Sequence, residues 1–76
     1  MFKKEFESKF YESVLKDIKV IFRYNTCLTS CYYDAWVYME DVISSVIDNA
    51  SKELLDKLYM VSDEYKNLYL QEKGLI

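Results

Sequence analysis

Hydrophobic residues recur along the chain at the three- and four-residue spacing of an amphipathic α-helix, in three separate stretches. This spacing predicts helices over residues 3–24, 31–49 and 52–73. The apolar stripe of the first predicted helix contains Phe6, Phe10, Val14, Ile18 and Ile21. That of the second contains Tyr32, Ala35, Trp36, Met39, Val42, Ile43, Val46, Ile47 and Ala50. That of the third contains Leu54, Leu58, Val61, Tyr65, Leu68 and Tyr69.

The ends of these helices are marked by polar residues rather than by proline, which the chain lacks. Thr29 or Ser30 is predicted to cap the second helix at its N-terminus, and Ser51 the third. The single glycine, Gly74, follows the third helix at a position where helices commonly end. Three helices of similar length with short connections predict one all-α domain, residues 1–76, folded as a small up-down-up three-helix bundle.

A second architecture fits the same pattern around residue 49. Ile47, Leu54, Val61 and Leu68 lie seven residues apart, as along a coiled-coil seam. If the second and third helices were continuous, the chain would form a helical hairpin that dimerises through its long second helix.

The residue types present argue against catalysis. The chain has no histidine, which is the most frequent general acid/base and a common metal ligand. Cys27 and Cys31 are too few for a zinc site, and no glycine-rich phosphate loop is present. We therefore predict a protein that is not an enzyme and that binds no cofactor, metal or small-molecule substrate.

The location and origin of the protein are also predicted from composition. The chain contains neither an apolar run that could cross a bilayer nor a recognisable signal peptide, so we expect a cytoplasmic protein. Nine lysines accompany one arginine, and tyrosine, isoleucine and asparagine are plentiful. This bias favours an AT-rich coding sequence, such as that of a virus or a mobile element.

The net charge of −3 is unevenly distributed along the chain. Residues 1–25 carry +2 and residues 26–76 carry −5, and residues 24–51 contain no lysine or arginine. Such a segment repels the phosphates of nucleic acids and complements a basic protein surface. We predict a partner-binding surface on the second helix, made of acidic and large apolar residues beside its core stripe: Tyr33, Asp34, Val37, Tyr38, Asp41 and Asp48.

The predicted function is the binding of a protein partner, which the chain would inhibit or connect to another molecule as an adaptor. The alternative is a structural homo-oligomer, in the simplest case a homodimer. Its interface would use large apolar residues of the third helix that lie off the core stripe, namely Tyr59, Met60 and Leu70.

Two further functions are disfavoured by the first helix. Its basic face would suit nucleic acid, but Glu5 and Glu12 interrupt it. Membrane binding through Phe2, Phe6 and Phe10 would take away side chains that the core requires. The basic face consists of Lys9, Lys16, Lys19 and Arg23.

Overall fold

The computed structural model describes residues 2–76, which form three α-helices. These are α1 (Lys4–Tyr24), α2 (Leu28–Val46) and α3 (Lys52–Glu72). The predicted all-α three-helix bundle is confirmed. The alternative with one long second helix is wrong, because α2 ends at Val46 and α3 begins at Lys52.

Hydrogen bonds and aromatic contacts define the directions of the helices. The backbone N–H of Phe2 donates to the Asn49 carbonyl at 3.0 Å, so α1 begins beside the connection between α2 and α3. At the other end of the bundle, Phe22, Tyr32 and Tyr65 contact one another through their rings. The first and third helices therefore run in one direction and α2 runs in the other.

The core lies between the three helices, and the most extensive interface is that of α2 with α3. Met39 and Leu58 are fully buried at its centre. Truncation of Leu58 to alanine should cost about 2–5 kcal/mol, since the cavity left behind adds to the lost transfer energy. The buried hydrophobic residues are Val14, Ile18, Cys31, Ala35, Met39, Ile43, Val46, Leu54, Leu58 and Val61.

The boundaries of α2 differ from those predicted. The helix begins at Leu28, and its N-cap is Cys27 rather than Thr29 or Ser30. It ends at Val46, three residues before the predicted end. Because Ile47 follows the last turn, its side chain leaves the core stripe and is 47% exposed. Phe6, also predicted for the core, is exposed on the first turns of α1 and stacks on its own neighbours.

Both ends of α3 are capped as predicted. The Ser51 hydroxyl oxygen accepts a hydrogen bond from the Leu54 N–H at 3.1 Å. At the other end, Gly74 has a φ of 71°, which only glycine adopts without strain. Its N–H donates to the Gln71 carbonyl, and the Leu75 N–H donates to the Leu70 carbonyl. This pair of hydrogen bonds is a Schellman motif, which satisfies the last carbonyls of the helix.

A carboxylate from α1 completes the start of α3. Glu7 accepts one hydrogen bond from the Ser51 N–H at 2.8 Å and another from the Ser51 hydroxyl at 2.5 Å. These two bonds, led by that of the hydroxyl, hold the pKa of Glu7 below its ordinary value of 4.5. The contact ties the first helix to the connection between the other two.

None of the helices within residues 2–76 combines the length and the apolar character that crossing a membrane requires.

Candidate partner-binding site

A shallow hollow of about 300 Å³ lies on the outer surface of α2. Its lining residues follow helical spacing, so a single face of α2 supplies all of them. We call it the acidic aromatic hollow; it is formed by Tyr33, Trp36, Val37, Glu40 and Asp41.

The aromatic part of the hollow is held in place from α3. The Tyr33 and Trp36 rings stand at 89° to each other, with centroids 6.1 Å apart. The Tyr69 ring of α3 contacts both of them, at 5.2 Å from Tyr33 and 5.9 Å from Trp36. Aromatic pairs at such distances and tilts attract each other beyond their burial of area. Although Tyr33 is 46% exposed, its ring thus has a defined position.

The acidic part of the hollow is partly oriented by the aromatic part. The indole Nε1–H of Trp36 donates to Glu40 Oε1 at 2.9 Å. This bond leaves the second carboxylate oxygen of Glu40 open to solvent, beside the exposed carboxylate of Asp41. The hollow therefore offers hydrogen-bond acceptors and negative charge next to aromatic surface.

A cation already lies against the same aromatic cluster on its other side. The ammonium of Lys73 is 5.9 Å from the centroid of the Tyr69 ring. A second hollow on that side is bordered by Tyr33, Asp34, Tyr69 and Lys73 among others. Lys73 does not line the acidic aromatic hollow, whose own charged residues are both acidic.

The six predicted partner-binding residues lie in four different surroundings. Tyr33, Val37 and Asp41 line the acidic aromatic hollow. Asp34 is exposed, and its Oδ2 accepts a hydrogen bond from Asn25 Nδ2 at 3.2 Å. Asp48 is exposed in the turn that follows α2 and lies apart from the hollow.

Tyr38 faces α1 and does not join Tyr33 and Val37. It is half-buried, and its hydroxyl donates to Asp17 Oδ2 at 2.5 Å. Burial, together with the hydrogen bond to the Asp17 carboxylate, raises the pKa of this phenol. Tyr38 therefore links α1 to α2, and a substitution there would disturb helix packing as well as any surface.

The residues predicted for an oligomer interface are also separated. Tyr59 is 44% exposed and borders a small hollow between α2 and α3, together with Ile47. Met60 is 73% exposed and Leu70 is half-buried, and neither lines that hollow. On α3, Tyr59 and Leu70 lie along one line of the helix, about three turns apart, and Met60 lies about 100° farther round.

Sequence reasoning missed Trp36, Glu40 and Tyr69 as components of the site. Trp36 and Tyr69 were predicted for the core, yet both are half-buried and contact each other at its edge. The spacing of Trp36 and Glu40, four residues apart, was a usable signal, since such pairs meet on a helix. No pattern within one helix could indicate the contact with Tyr69.

The two cysteines lie at the start of α2 and are both free thiols. Cys31 is buried, and its thiol donates to the Asn25 carbonyl at 3.9 Å. Cys27 is exposed, and the backbone N–H groups of Ser30 and Thr29, which favour the thiolate over the thiol, lower its pKa. Among the described residues, cysteine and carboxylate side chains do not gather in any group of three that could hold a metal ion.

A groove between α1 and α3 has a different chemistry. Its lining carries both signs of charge, including Lys4, Glu12 and Lys57. Lys57 lies 5.5 Å from the Tyr11 ring and 3.9 Å from the Glu53 carboxylate. Positive and negative side chains are thus mixed in this groove, in contrast to the acidic aromatic hollow.

Comparison of the chain with protein-family models, with curated proteins and with solved structures gives no match. The class of the protein is therefore defined by its architecture, a three-helix bundle that carries an acidic aromatic hollow on α2.

Proposed function

We propose that this protein is a non-catalytic interaction protein that binds a basic surface of a protein partner through the outer face of α2. The observation that carries the proposal is the acidic aromatic hollow, which lies in a segment, residues 24–51, without a single lysine or arginine. Binding there would make the protein an inhibitor or an adaptor of its partner. With its two free cysteines it suits the cytoplasm, and its lysine-rich composition suits a viral or mobile-element origin.

The hollow has the composition of a binding hot spot. Tryptophan and tyrosine contribute most to protein interfaces because they bury a large area with few rotatable bonds. Carboxylates at the rim accelerate association with a basic surface and discriminate against acidic ones. Tyr33 and Val37, which are 46% and 40% exposed, would lose their contact with water in the complex.

The proposal is tested by affinity capture from nuclease-treated lysate at low and moderate salt, read by mass spectrometry. The site variant is Tyr33→Ala/Asp41→Lys, which removes one aromatic wall and reverses one charge of the hollow. The matched control is Tyr24→Ala/Asp56→Lys, since both of its residues are exposed and neither lines the hollow.

A partner retained by wild type and by the control variant, and lost by the site variant, is the expected result. Equal capture by all three proteins would contradict the proposed surface. Capture from untreated lysate that disappears when the lysate is treated with nuclease, and that weakens steeply with salt, would instead favour nucleic-acid binding through the basic face of α1.

A second candidate function is self-association through α3. It is favoured by the exposure of Ile47, Tyr59 and Met60, which leaves large apolar side chains of the α2–α3 side in water. Sedimentation equilibrium over a hundredfold range of concentration tests this candidate. A mass that increases with concentration in wild type, and not in Tyr59→Lys/Met60→Lys, would support a subunit interface. A constant monomer mass would eliminate it.

A further inference from the structure

We infer that the acidic aromatic hollow binds the guanidinium group of an arginine side chain presented by the partner. The inference rests on the proposed function and specifies which chemical group of the basic partner the hollow recognises. It follows from the juxtaposition of the Trp36 and Tyr33 rings with the carboxylates of Glu40 and Asp41.

The aromatic rings supply the first half of the recognition. A planar cation over the face of tryptophan or tyrosine is attracted by the ring quadrupole, and tryptophan is the strongest of the aromatic partners. The contact of the Lys73 ammonium with Tyr69 demonstrates that this cluster accepts a cation within its own chain. The hollow lies on the other side of the cluster, where the surface carries no cation of its own.

The carboxylates of Glu40 and Asp41 supply the second half of the recognition, which is the hydrogen bonding of the guanidinium N–H groups. Glu40 Oε1 accepts from the Trp36 indole, so this carboxylate lies beside the ring. Glu40 and Asp41 are both exposed and line the same hollow. A guanidinium that stacks on one of the two perpendicular rings would therefore have carboxylate acceptors for its N–H groups close by.

Arginine fits this arrangement better than lysine. Its guanidinium is flat, is weakly hydrated and carries five donors in a rigid fork that matches carboxylates. A lysine ammonium is a compact and strongly hydrated charge that cannot stack and donate in one plane. A hollow of about 300 Å³ with both aromatic and carboxylate walls thus rewards the shape of arginine as well as its charge.

The test uses three capped peptides that differ at one residue: Gly-Gly-Arg-Gly-Gly, its lysine counterpart, and its citrulline counterpart, which keeps the shape of arginine without the charge. Trp36 is the single tryptophan of the chain, so its fluorescence and its indole N–H signal in NMR report on the hollow directly. Each peptide is titrated into the full-length protein at low salt.

We expect the arginine peptide to saturate the Trp36 signal. The citrulline peptide should bind about tenfold more weakly, as expected for loss of a charge-assisted hydrogen bond. The lysine peptide should bind about threefold more weakly, since it lacks the fork geometry. Glu40→Gln and Asp41→Asn should each weaken the arginine peptide, whereas Asp56→Asn, on the exposed surface of α3, should not.

Equal binding of the arginine and citrulline peptides, or no saturable change at Trp36, would overturn the inference. The proposed function would survive that result if the partner captured from lysate were still lost with Tyr33→Ala/Asp41→Lys. Conversely, arginine binding at the hollow without a partner that depends on it would support the inference and contradict the proposed function.

Discussion

The two connections between helices differ in how they cap the N-terminus of the helix that follows. In the connection from α2 to α3, the Ser51 side chain caps the new helix, and Glu7 of α1 accepts two hydrogen bonds from that cap. In the connection from α1 to α2, the N-cap is Cys27, whose thiol makes no capping hydrogen bond. Neither connection contains glycine or proline.

The difference shows where the geometry of the bundle is specified. At the first connection, from α1 to α2, Asn25 donates to the Ile21 carbonyl and to the Asp34 carboxylate, which both lie close to it in the chain. At the second connection, from α2 to α3, the cap is bonded to a residue of α1 that lies 44 residues away in the chain. The second connection therefore helps to hold α1 in place, together with the contact of Phe22 with Tyr65.

Among substitutions at the two connections, Ser51→Ala is expected to have the largest effect on stability. The substitution removes the acceptor of the Leu54 N–H and one donor to Glu7, so the free energy of unfolding should fall by about 1–2 kcal/mol. Urea denaturation followed by circular dichroism measures the change. Ser45→Ala is the matched control, because that hydroxyl bonds only to the Val42 carbonyl within an exposed turn of α2. Equal stabilities of the two variants would contradict the assigned role of the cap.

Replacing Glu7 with glutamine should produce a smaller and pH-dependent loss. The pKa of Glu7 is lower in the folded state than in the unfolded chain, so the stabilisation is present above the ordinary pKa of 4.5. It disappears as the pH falls through the folded-state pKa. The difference in melting temperature between wild type and Glu7→Gln should therefore be greatest near neutral pH and vanish in acid. A difference that is constant across the pH range would argue against the ionised contact.

A still smaller effect, of the opposite sign, is expected at the first connection. In Cys27→Ser the hydroxyl is a stronger acceptor than the neutral thiol, which makes no capping hydrogen bond to the N–H groups of the first turn of α2. The free energy of unfolding should rise by about 0.5–1 kcal/mol, measured by the same denaturation. A fall in the free energy of unfolding would contradict this prediction. It would show that the packing of the thiol stabilises the protein more than a hydroxyl cap would.

Cys27 also provides a chemical measurement of the first connection that leaves stability unchanged. Since the backbone N–H groups of Ser30 and then Thr29 favour the thiolate of Cys27 and lower its pKa from 9.0, this thiolate should form at lower pH than that of a free cysteine. The rate of iodoacetamide modification as a function of pH tests this. Buried Cys31 should react only after unfolding, so Cys27→Ser should abolish the rapid phase. A pH midpoint equal to that of free cysteine would contradict the backbone contacts.

The fold was predictable because the spacing of apolar residues along each helix identifies the face that is buried. Met39 and Leu58 lie on apolar stripes that the spacing identifies, and Ser51 and Gly74 mark the ends of α3 through local chemistry. The start of α2 was misjudged because Thr29 and Ser30 are favoured caps while cysteine is not. The exposure of Ile47 follows from the early end of α2, which depends on contacts with distant residues.

The candidate site was only partly predictable from the sequence. Tyr33, Val37 and Asp41 share a helical face, which periodicity reveals. The direction of Tyr38 depends on Asp17, which lies 21 residues earlier, and the position of Tyr33 depends on Tyr69. Contacts of this kind arise from the packing of whole helices, so no spacing rule within one helix contains them.

The bond between Glu7 and Ser51 also has a consequence for the order in which the molecule folds. A ribosome releases Glu7 long before Ser51, since 44 residues separate them. The α1 segment cannot make this bond until the connection between α2 and α3 has been synthesised, and until then its core residues, among them Val14 and Ile18, lack their partners on α3. In proteins most of the stability of a helix comes from the packing of its apolar face. The bond that holds the start of α1 in place therefore forms late in synthesis, long after α1 itself has been made.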